Sequence, residues 1–429
     1  MLWLRLLSPL RGSYLFSDPN PGLTPGATVY RPLRGLVVRH LPGILFWAAL
    51  LAILIPLVSA QTDNSPFPQP TALQHGPPLT NQEFVRLLFQ LPAHPEERDK
   101  LIDEIRKRGI AFPVTAGLQG LVATKSGNDS LLRHTLEEAD RRRANPVAAA
   151  LPPTAEALEL LAQTRKATLG AAEKMPDYLV KEQIVRYMAE GNTRNWRPDD
   201  HLTVAVSYRQ SAGEDYKLLS VNGVPPKEDQ SYGMKLGGTT SAGEYASVLR
   251  ELFSPESRAE FDMVDTDTLR GRRTIIYEYV VKREFSHSTL AWGDRNSATL
   301  HTIAGYRGRI WVDRELNRIL RLEEISTEIE PGFPITAASQ TIDYEWVTIN
   351  QQQHLLPSHA IVELTDRGHG QTIQTRNEIS FRGYRKFGTE VKIIDIDEKD
   401  FPPDKPEEEP AKPDTPPVLK PAPSKKPNP

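Results

Sequence analysis

Two aspartates near the middle of the chain have the spacing of a phosphoryl-transfer site. Asp265 and Asp267, separated by Thr266, match a pattern in which the first carboxylate attacks phosphorus while Mg²⁺ balances the charge. That chemistry needs the nucleophile at the tip of a buried parallel strand. Residues 260–264 read Glu-Phe-Asp-Met-Val, which is not an apolar run, and the surrounding pattern is that of antiparallel strands. We therefore expect no nucleophile here.

The histidines also lack the spacing of metal ligands. The sequence has no His-Glu-x-x-His and no pair of histidines four residues apart on a predicted helix. A metal site needs three or four convergent ligands. His354, His359 and His369 form the densest group, which we interpret as surface or strand-edge histidines.

The segment around Ser241 is the remaining candidate for a nucleophile. Residues 237–243 read Gly-Gly-Thr-Thr-Ser-Ala-Gly and lack the glycine two positions before the serine that a nucleophile elbow requires. We interpret the segment as a turn followed by a helix cap at Ser241. The sequence contains neither Gly-x-x-x-x-Gly-Lys-Ser/Thr nor Gly-x-Gly-x-x-Gly, the two glycine-rich patterns that bind phosphate groups. The sequence thus predicts no catalytic residue, no metal site and no cofactor.

Charge and cysteine content exclude several classes of protein. The chain of 429 residues has 52 Lys and Arg against 55 Asp and Glu, a formal net charge of −3. A charge this small attracts no polyanion to the molecule as a whole, so nucleic acid is not expected as a partner. The chain has no cysteine, which excludes disulfides, thiol catalysis and lipid attachment through an N-terminal cysteine.

An apolar segment near the N-terminus has the order of parts found in a signal peptide. Arg39 precedes the apolar run from Gly43 to Val58, and small residues then lead to a cleavage site between Ala60 and Gln61. The run is shorter than the roughly 20 residues of a membrane-spanning helix. We expect a periplasmic or secreted protein, with an uncleaved membrane anchor as the alternative.

Hydrophobic spacing divides the rest of the chain into a helical part and a strand part. Thr80 and Thr115 stand where helix caps are expected, and the alternation from Leu202 to Tyr208 is typical of a strand with one buried face. We predict these segments: signal-peptide region 1–60, in which 1–38 has the character of a misassigned start; linker 61–78; helical module 79–143; linker and helix 144–174; antiparallel β domain 175–398; and disordered proline-rich tail 399–429.

The strand part predicts the fold class. About ten antiparallel strands form a large, curved, half-barrel-like sheet with helices on one face, an α+β fold preceded by the small all-α module. We place the strands at residues 178–187, 202–208, 216–221, 272–281, 309–312, 318–325, 341–349, 360–364, 372–381 and 390–396. One helix, capped at Ser241, interrupts the series.

Residues 175–396 resemble a group of exported proteins common in acidobacterial genomes and related in layout to LolA/RseB-like periplasmic folds. The resemblance is carried by residues 175–187, 218–224, 243–253, 306–313 and 319–323. It implies an incompletely closed antiparallel sheet with helices over its concave face. In the better-known relatives that cavity takes lipoprotein acyl chains or senses lipid and lipoprotein signals. No binding residue transfers position by position, so the ligand-binding residues stay unknown.

Three functional hypotheses follow. The leading one is a non-enzymatic exported protein whose β domain binds a hydrophobic or amphiphilic ligand, a lipid or an acylated protein, in the hollow of its sheet. The second is a scaffold in which the helical module docks an envelope protein and the proline-rich tail spaces the body from the envelope. The third is a hydrolase with unrecognised catalytic residues. The oligomeric state does not follow from the sequence.

Overall fold

The computed structural model describes residues 2–7, 76–227, 232, 238–242, 246–294, 299–368, 370–387 and 393–401. The predicted cleavage site at Ala60 and Gln61 and the predicted tail beyond residue 401 lie outside these ranges. Within them, no helix combines the length and the apolar character that crossing a membrane would require.

The helical module begins and ends at residues whose side chains or backbone favour helix ends. Thr80, Thr115 and Asp129 each accept a hydrogen bond from a backbone N–H in the first turn that follows. Gly109 ends the second helix with a φ of 69°, a conformation that glycine adopts without steric cost. The module consists of α1 (Asn81–Leu88), α2 (Arg98–Arg108), α3 (Ala116–Lys125) and α4 (Ser130–Ala144).

Two further α-helices, fourteen strands and several short 3₁₀ turns make up the rest of the described structure. The helices are α5 (Thr154–Glu173) and α6 (Ala246–Phe253). The strands are β1 (Leu2–Leu7), β2 (Tyr178–Glu190), β3 (Arg197–Arg209), β4 (Gly213–Val221), β5 (Gly238–Ala242), β6 (Glu260–Leu269), β7 (Arg272–Val281), β8 (Thr289–Asp294), β9 (Leu300–Ile303), β10 (Gly305–Asp313), β11 (Arg318–Thr327), β12 (Ile335–Ile349), β13 (Gln352–Asp366) and β14 (Ile373–Lys386).

Ten of these strands form one curved, unclosed antiparallel sheet. Its order is β4-β3-β2-β14-β13-β12-β11-β10-β7-β6, and a second sheet of four strands has the order β5-β1-β8-β9. Most neighbours in the large sheet are consecutive in the chain, because short turns connect them as hairpins. Two contacts are exceptions: β2 pairs with β14, and β7 pairs with β10, with β8 and β9 between them in the chain. The predicted fold class is confirmed.

The large sheet has one apolar face, and this face holds the main core. Alternate residues such as Ile184, Ile310, Ile342 and Val362 are completely or almost completely buried there. Helices α5 and α6 pack on this face, and Leu290 brings the small sheet into the same core. Because strand side chains alternate between faces, these positions predict the apolar face directly from sequence.

The helical module lies on the opposite face, which is rich in charged residues. Its own core of leucine and isoleucine side chains, including Leu88 and Ile105, is separate from the main core. The contact with the sheet is polar, with α4 packing against β6 and α2 reaching β11. The module is therefore attached to the sheet mainly through ion pairs and hydrogen bonds.

Three details of the sequence interpretation were wrong. Ser241 lies in strand β5, parallel to β1, and does not cap a helix, because α6 begins only at Ala246. Residues 260–269 were not predicted to be a strand, yet they form β6; at the sheet edge a strand needs little apolar surface. The last predicted strand, 390–396, instead contains a short 3₁₀ turn at Ile393–Asp395.

Candidate functional site

An apolar pocket lies between helix α5 and the ends of three central strands. The C-terminal half of α5 contributes Thr168, Ala171 and Ala172, and α6 contributes Leu249. Ends of β11, β12 and β13 form the other side. Small side chains on this stretch of α5 keep the helix from filling the space, which has a volume of about 420 Å³. Pockets that take small ligands span roughly 300 to 1,000 Å³.

The inner part of the pocket is apolar. Met175, Leu249, Ile319 and Tyr344 line it, and all four residues are buried. Trp346, whose exposed fraction is 38%, stands where the pocket meets solvent. Aromatic rings at such a boundary can cover a hydrocarbon chain while remaining in contact with water.

The outer part of the pocket is polar and cationic. Lys174, Gln352 and Gln353 line it and are exposed. Arg318 is half-buried, and its Nη1 donates a hydrogen bond to the carbonyl oxygen of Asn317 at 3.1 Å. Among the described residues Arg318 has no carboxylate partner, and burial lowers the pKa of its guanidinium. An anionic group entering the pocket would supply the missing counter-charge.

His354 adds a second polar group that lacks a partner. Its Nε2 atom is buried and makes no hydrogen bond within the described structure, and burial lowers the pKa of its imidazole. The neutral ring can either donate or accept one hydrogen bond, depending on its tautomer. The pocket lining contains no carboxylate. It therefore offers a hydrophobic interior and a cationic, hydrogen-bonding mouth, without the paired acid and base that hydrolysis commonly uses.

The opposite face of the sheet holds a second concentration of polar groups, which fastens the helical module. Asp129 at the start of α4 is fully buried and pairs with Arg98 of α2 and with Arg194 between β2 and β3. Burial alone would raise the pKa of Asp129, but the two guanidinium groups lower it to about 2. The carboxylate is therefore ionised at any physiological pH.

Further ion pairs join the module to other strands. Arg141 binds Asp267 with two hydrogen bonds, of 2.7 and 2.8 Å, and Arg142 pairs with Asp265. The two aspartates that resembled a phosphoryl-transfer motif thus lie on antiparallel strand β6 and hold the module in place. Paired in this way, they do not have the surroundings of a nucleophile.

The three clustered histidines do not converge on one site. His354 lies at the pocket, His359 is opposite Asp343 in the register of β12 and β13, and His369 lies outside the described residues. In the ranges that the structure describes, no group of three or more His, Asp or Glu side chains could hold a metal ion. The side chain of Ser241 is also outside the description.

Sequence reasoning did not find the pocket residues. Ala171 and Ala172 read as ordinary helix formers, and Arg318 as the solvated start of a strand. A weak signal was present in Trp346, a large aromatic residue that continues the alternation of Ile342 and Tyr344 toward the end of β12. The pocket depends on the spacing between α5 and the sheet, which the sequence pattern does not specify.

Comparisons with known proteins give only distant structural neighbours. No protein-family model matches the chain, and no curated protein matches it in sequence. A DUF1329 family protein from Desulfovibrio piger is 9% identical, with a TM-score of 0.22, and the match covers 55% of this chain and 98% of that one.

MucB is a further neighbour. The crystal structure of MucB in complex with MucA gives 11% identity and a TM-score of 0.15, covering 52% of this chain and 98% of that one. The MucA/MucB complex of Pseudomonas aeruginosa gives 10% identity, the same TM-score and the same coverage. Likenesses this weak carry no argument about what this chain binds.

Proposed function

We propose that this protein is a non-enzymatic exported binding protein that takes one hydrophobic chain with an anionic head group into the pocket between α5 and the sheet. The observation that carries the proposal is the pocket itself, with buried Met175, Ile319 and Tyr344 inside. At its mouth lies Arg318, which has no carboxylate partner in the part of the chain that the structure describes. The occupant is an acyl chain, either free or attached to a protein partner in the envelope.

The rest of the apolar face limits where such a ligand can bind. The leading hypothesis placed the ligand in a general hollow of the sheet, but α5, α6 and the small sheet already cover much of this face. The pocket of about 420 Å³ leaves room for a chain at one end of the helices and not along the whole sheet. The proposed ligand therefore places a single hydrocarbon chain in the pocket.

A substitution that fills the pocket tests the proposal. Ala172 is buried on the lining, so Ala172→Trp places an indole in the space, whereas Ala162→Trp places the same ring on an exposed position of the same helix. We expect a fluorescent fatty acid to bind the wild-type protein and Ala162→Trp, and to bind Ala172→Trp at least about tenfold more weakly.

Arg318→Gln tests the head group. It should weaken binding of the fatty acid while leaving binding of the matching fatty alcohol unchanged, because only the acid carries the charge that Arg318 would meet. Mass spectrometry of lipids extracted from the protein purified from a periplasm identifies the natural occupant. The proposal is contradicted if no lipid is extracted and neither probe binds the wild-type protein.

Export is the second part of the proposal and rests on the segment from Arg39 to Gln61. Expressed with this segment in a Gram-negative host, the chain should be recovered from the periplasm, with Gln61 as its first residue. N-terminal sequencing checks the cleavage site. Recovery in the cytoplasm at full length would contradict export.

The scaffold hypothesis finds less support. The module uses a face that carries Arg141 and Arg142 on α4 to bind the sheet. That face is not free for another protein. An envelope partner would instead reach the protein through an acyl chain placed in the pocket.

A further inference from the structure

A short apolar turn between α4 and α5 is exposed to solvent. Val147, Leu151 and Leu158 have exposed fractions of 85%, 56% and 61% and lie within twelve residues of one another. Soluble proteins expose single apolar side chains routinely, but a contiguous group of them usually marks a surface that meets something else.

The segment that carries Val147 and Leu151 has no charge, whereas Leu158 lies beyond it on α5, between Glu156 and Glu159. Residues 144–155 read Ala-Asn-Pro-Val-Ala-Ala-Ala-Leu-Pro-Pro-Thr-Ala, twelve consecutive residues without Asp, Glu, Lys or Arg in a chain where charged residues make up 25%. A solvent-exposed linker normally contains charged side chains. Their absence lowers the cost of moving the turn out of water.

The turn is held in place and is not a loose linker. The Asn145 side chain accepts a hydrogen bond from Ala148 N at 3.1 Å, and the carbonyl of Asn145 accepts one from Ala149 N at 3.0 Å. Thr266 of β6 donates its hydroxyl proton to the carbonyl oxygen of Ala149 at 2.8 Å. These three hydrogen bonds hold residues 145–149 and join them to β6, and Val147 within them is exposed.

The size of the group decides between two kinds of partner. A stable protein interface buries about 800 Å² on each side, from roughly 20 to 30 residues. Three exposed apolar side chains with the alanines and prolines between them are too few for that. Insertion into the interface of a bilayer needs no matching surface, because each side chain gains by leaving water independently.

We propose that the turn of residues 146–153, together with Leu158 at the start of α5, inserts into the surface of a lipid bilayer and docks the protein there. Val147 and Leu151 enter the boundary between head groups and acyl chains, and Leu158 covers the adjoining side of α5. The absence of charge in the turn means that docking is driven by apolar burial. Binding should therefore change little between low and high salt.

The cysteine-free chain allows a direct test of insertion. Val147→Cys, Leu151→Cys and Val224→Cys each provide the only thiol, which is labelled with an environment-sensitive fluorophore. Val224 is the matched control, a valine with an exposed fraction of 64% in the turn that follows β4. The processed full chain is mixed with vesicles of phosphatidylcholine and phosphatidylglycerol in equal parts. We expect blue-shifted emission at 147 and 151 and none at 224.

Vesicle flotation measures the contribution of the turn to binding. The double variant V147S/L151S should partition at least about tenfold more weakly than the wild-type chain, and Val224→Ser should match the wild type. Because all variants retain the same N-terminus, any membrane binding by other segments cancels in the comparison. Fatty-acid binding in the pocket should be unchanged in V147S/L151S, so this proposal can fail while the proposed function holds.

Three results would overturn bilayer docking. The first is the absence of a spectral shift at position 147 in the presence of vesicles. A second is equal flotation of V147S/L151S and the wild-type chain. The third is a change from dimer to monomer in sedimentation velocity caused by V147S/L151S, without any change in flotation, which would make the turn an interface between copies of this chain.

Discussion

Arg106 and Glu323 form an ion pair between the helical module and the sheet. Arg106 Nη2 donates to Glu323 Oε2 at 2.7 Å, and the two side chains come from positions 217 residues apart in the chain. Both are largely buried between α2 and β11. The pair shows how the module is held: by a few long-range contacts between charged groups that have left water.

Breaking this pair on one side should destabilise the protein. Arg106→Ala leaves Glu323 charged and buried, and we expect a loss of about 3 to 5 kcal/mol in the free energy of unfolding. The double variant R106M/E323L removes both charges and should be close to the wild type or more stable. Lys100→Ala, which breaks an exposed pair with Glu97, serves as the control with a loss below about 1 kcal/mol.

Urea unfolding monitored by circular dichroism gives these differences. If R106A lowered the free energy of unfolding as little as K100A does, the ion pair between α2 and β11 would not be buried.

Gly308 in β10 is expected to tolerate no side chain. A Cβ at this position would lie 1.8 Å from the carbonyl oxygen of Glu323 and 2.7 Å from the hydroxyl of Tyr279. Gly308→Ala should therefore separate β10 from β11 and lower the melting temperature by many degrees or prevent folding. Gly120→Ala is the matched control, because nothing lies within 4 Å of its Cβ. In the interior of α3 it should stabilise the protein by up to about 1 kcal/mol.

Glu324 should make the protein less stable as the pH rises. Burial raises the pKa of its carboxyl to about 7 and outweighs the hydrogen bond from Gln340, which lowers it. The nearby Glu251 carboxyl adds a smaller increase, and the hydrogen bond from Tyr279 a smaller decrease. In the unfolded chain this carboxyl ionises near pH 4.5. The folded chain therefore binds more protons, and stability is lost as the pH rises from 4.5 through 7, on the order of 3 kcal/mol.

Glu324→Gln keeps the shape of the side chain without the charge. Unfolding free energies measured at intervals between pH 4.5 and 8 should decline less in this variant than in the wild-type protein. An unchanged decline would assign the effect to other groups, with Glu251 the first to test because burial raises its pKa as well.

His134 should make the protein less stable as the pH falls. This α4 residue faces Arg321, Asp343 and His359 on the sheet, and burial followed by the charge of Arg321 lowers the pKa of its imidazole to about 3. The unfolded chain takes up this proton near pH 6.5. Stability is therefore present above pH 6.5 and is lost as the pH falls, by up to about 1.4 kcal/mol per pH unit.

His134→Gln removes this titration while keeping a hydrogen-bonding side chain. Its unfolding free energy should change less than that of the wild-type protein between pH 6.5 and 5. The interval lies above the pKa of Asp343, which Arg321 lowers to about 2, so this carboxylate does not contribute there. Identical slopes in the two proteins would mean that His134 is protonated in the folded state.

Local signals in the sequence were sufficient for most helices and strands. Thr80 and Thr115 were expected to begin helices, and they do so by accepting hydrogen bonds from the next turn. The predicted strand at 272–281 has the same bounds as β7. Such signals act over a few residues, so they can be recognised without knowledge of the fold. Strand β6 was not predicted, because its acidic residues are stabilised by Arg141 and Arg142, which are distant in sequence.

By itself, the sequence determined the helical module, the antiparallel strands and the apolar face of the sheet, because periodicity and capping are properties of neighbouring residues. The tertiary structure alone decided what covers the other face. Arg321, Glu323 and Glu363 alternate with apolar residues and would be read as solvated, yet the module packs over them. It also created the pocket between α5 and the sheet. Both features depend on how elements distant in sequence meet, since an ion pair or a cavity arises only when its members are brought together in space.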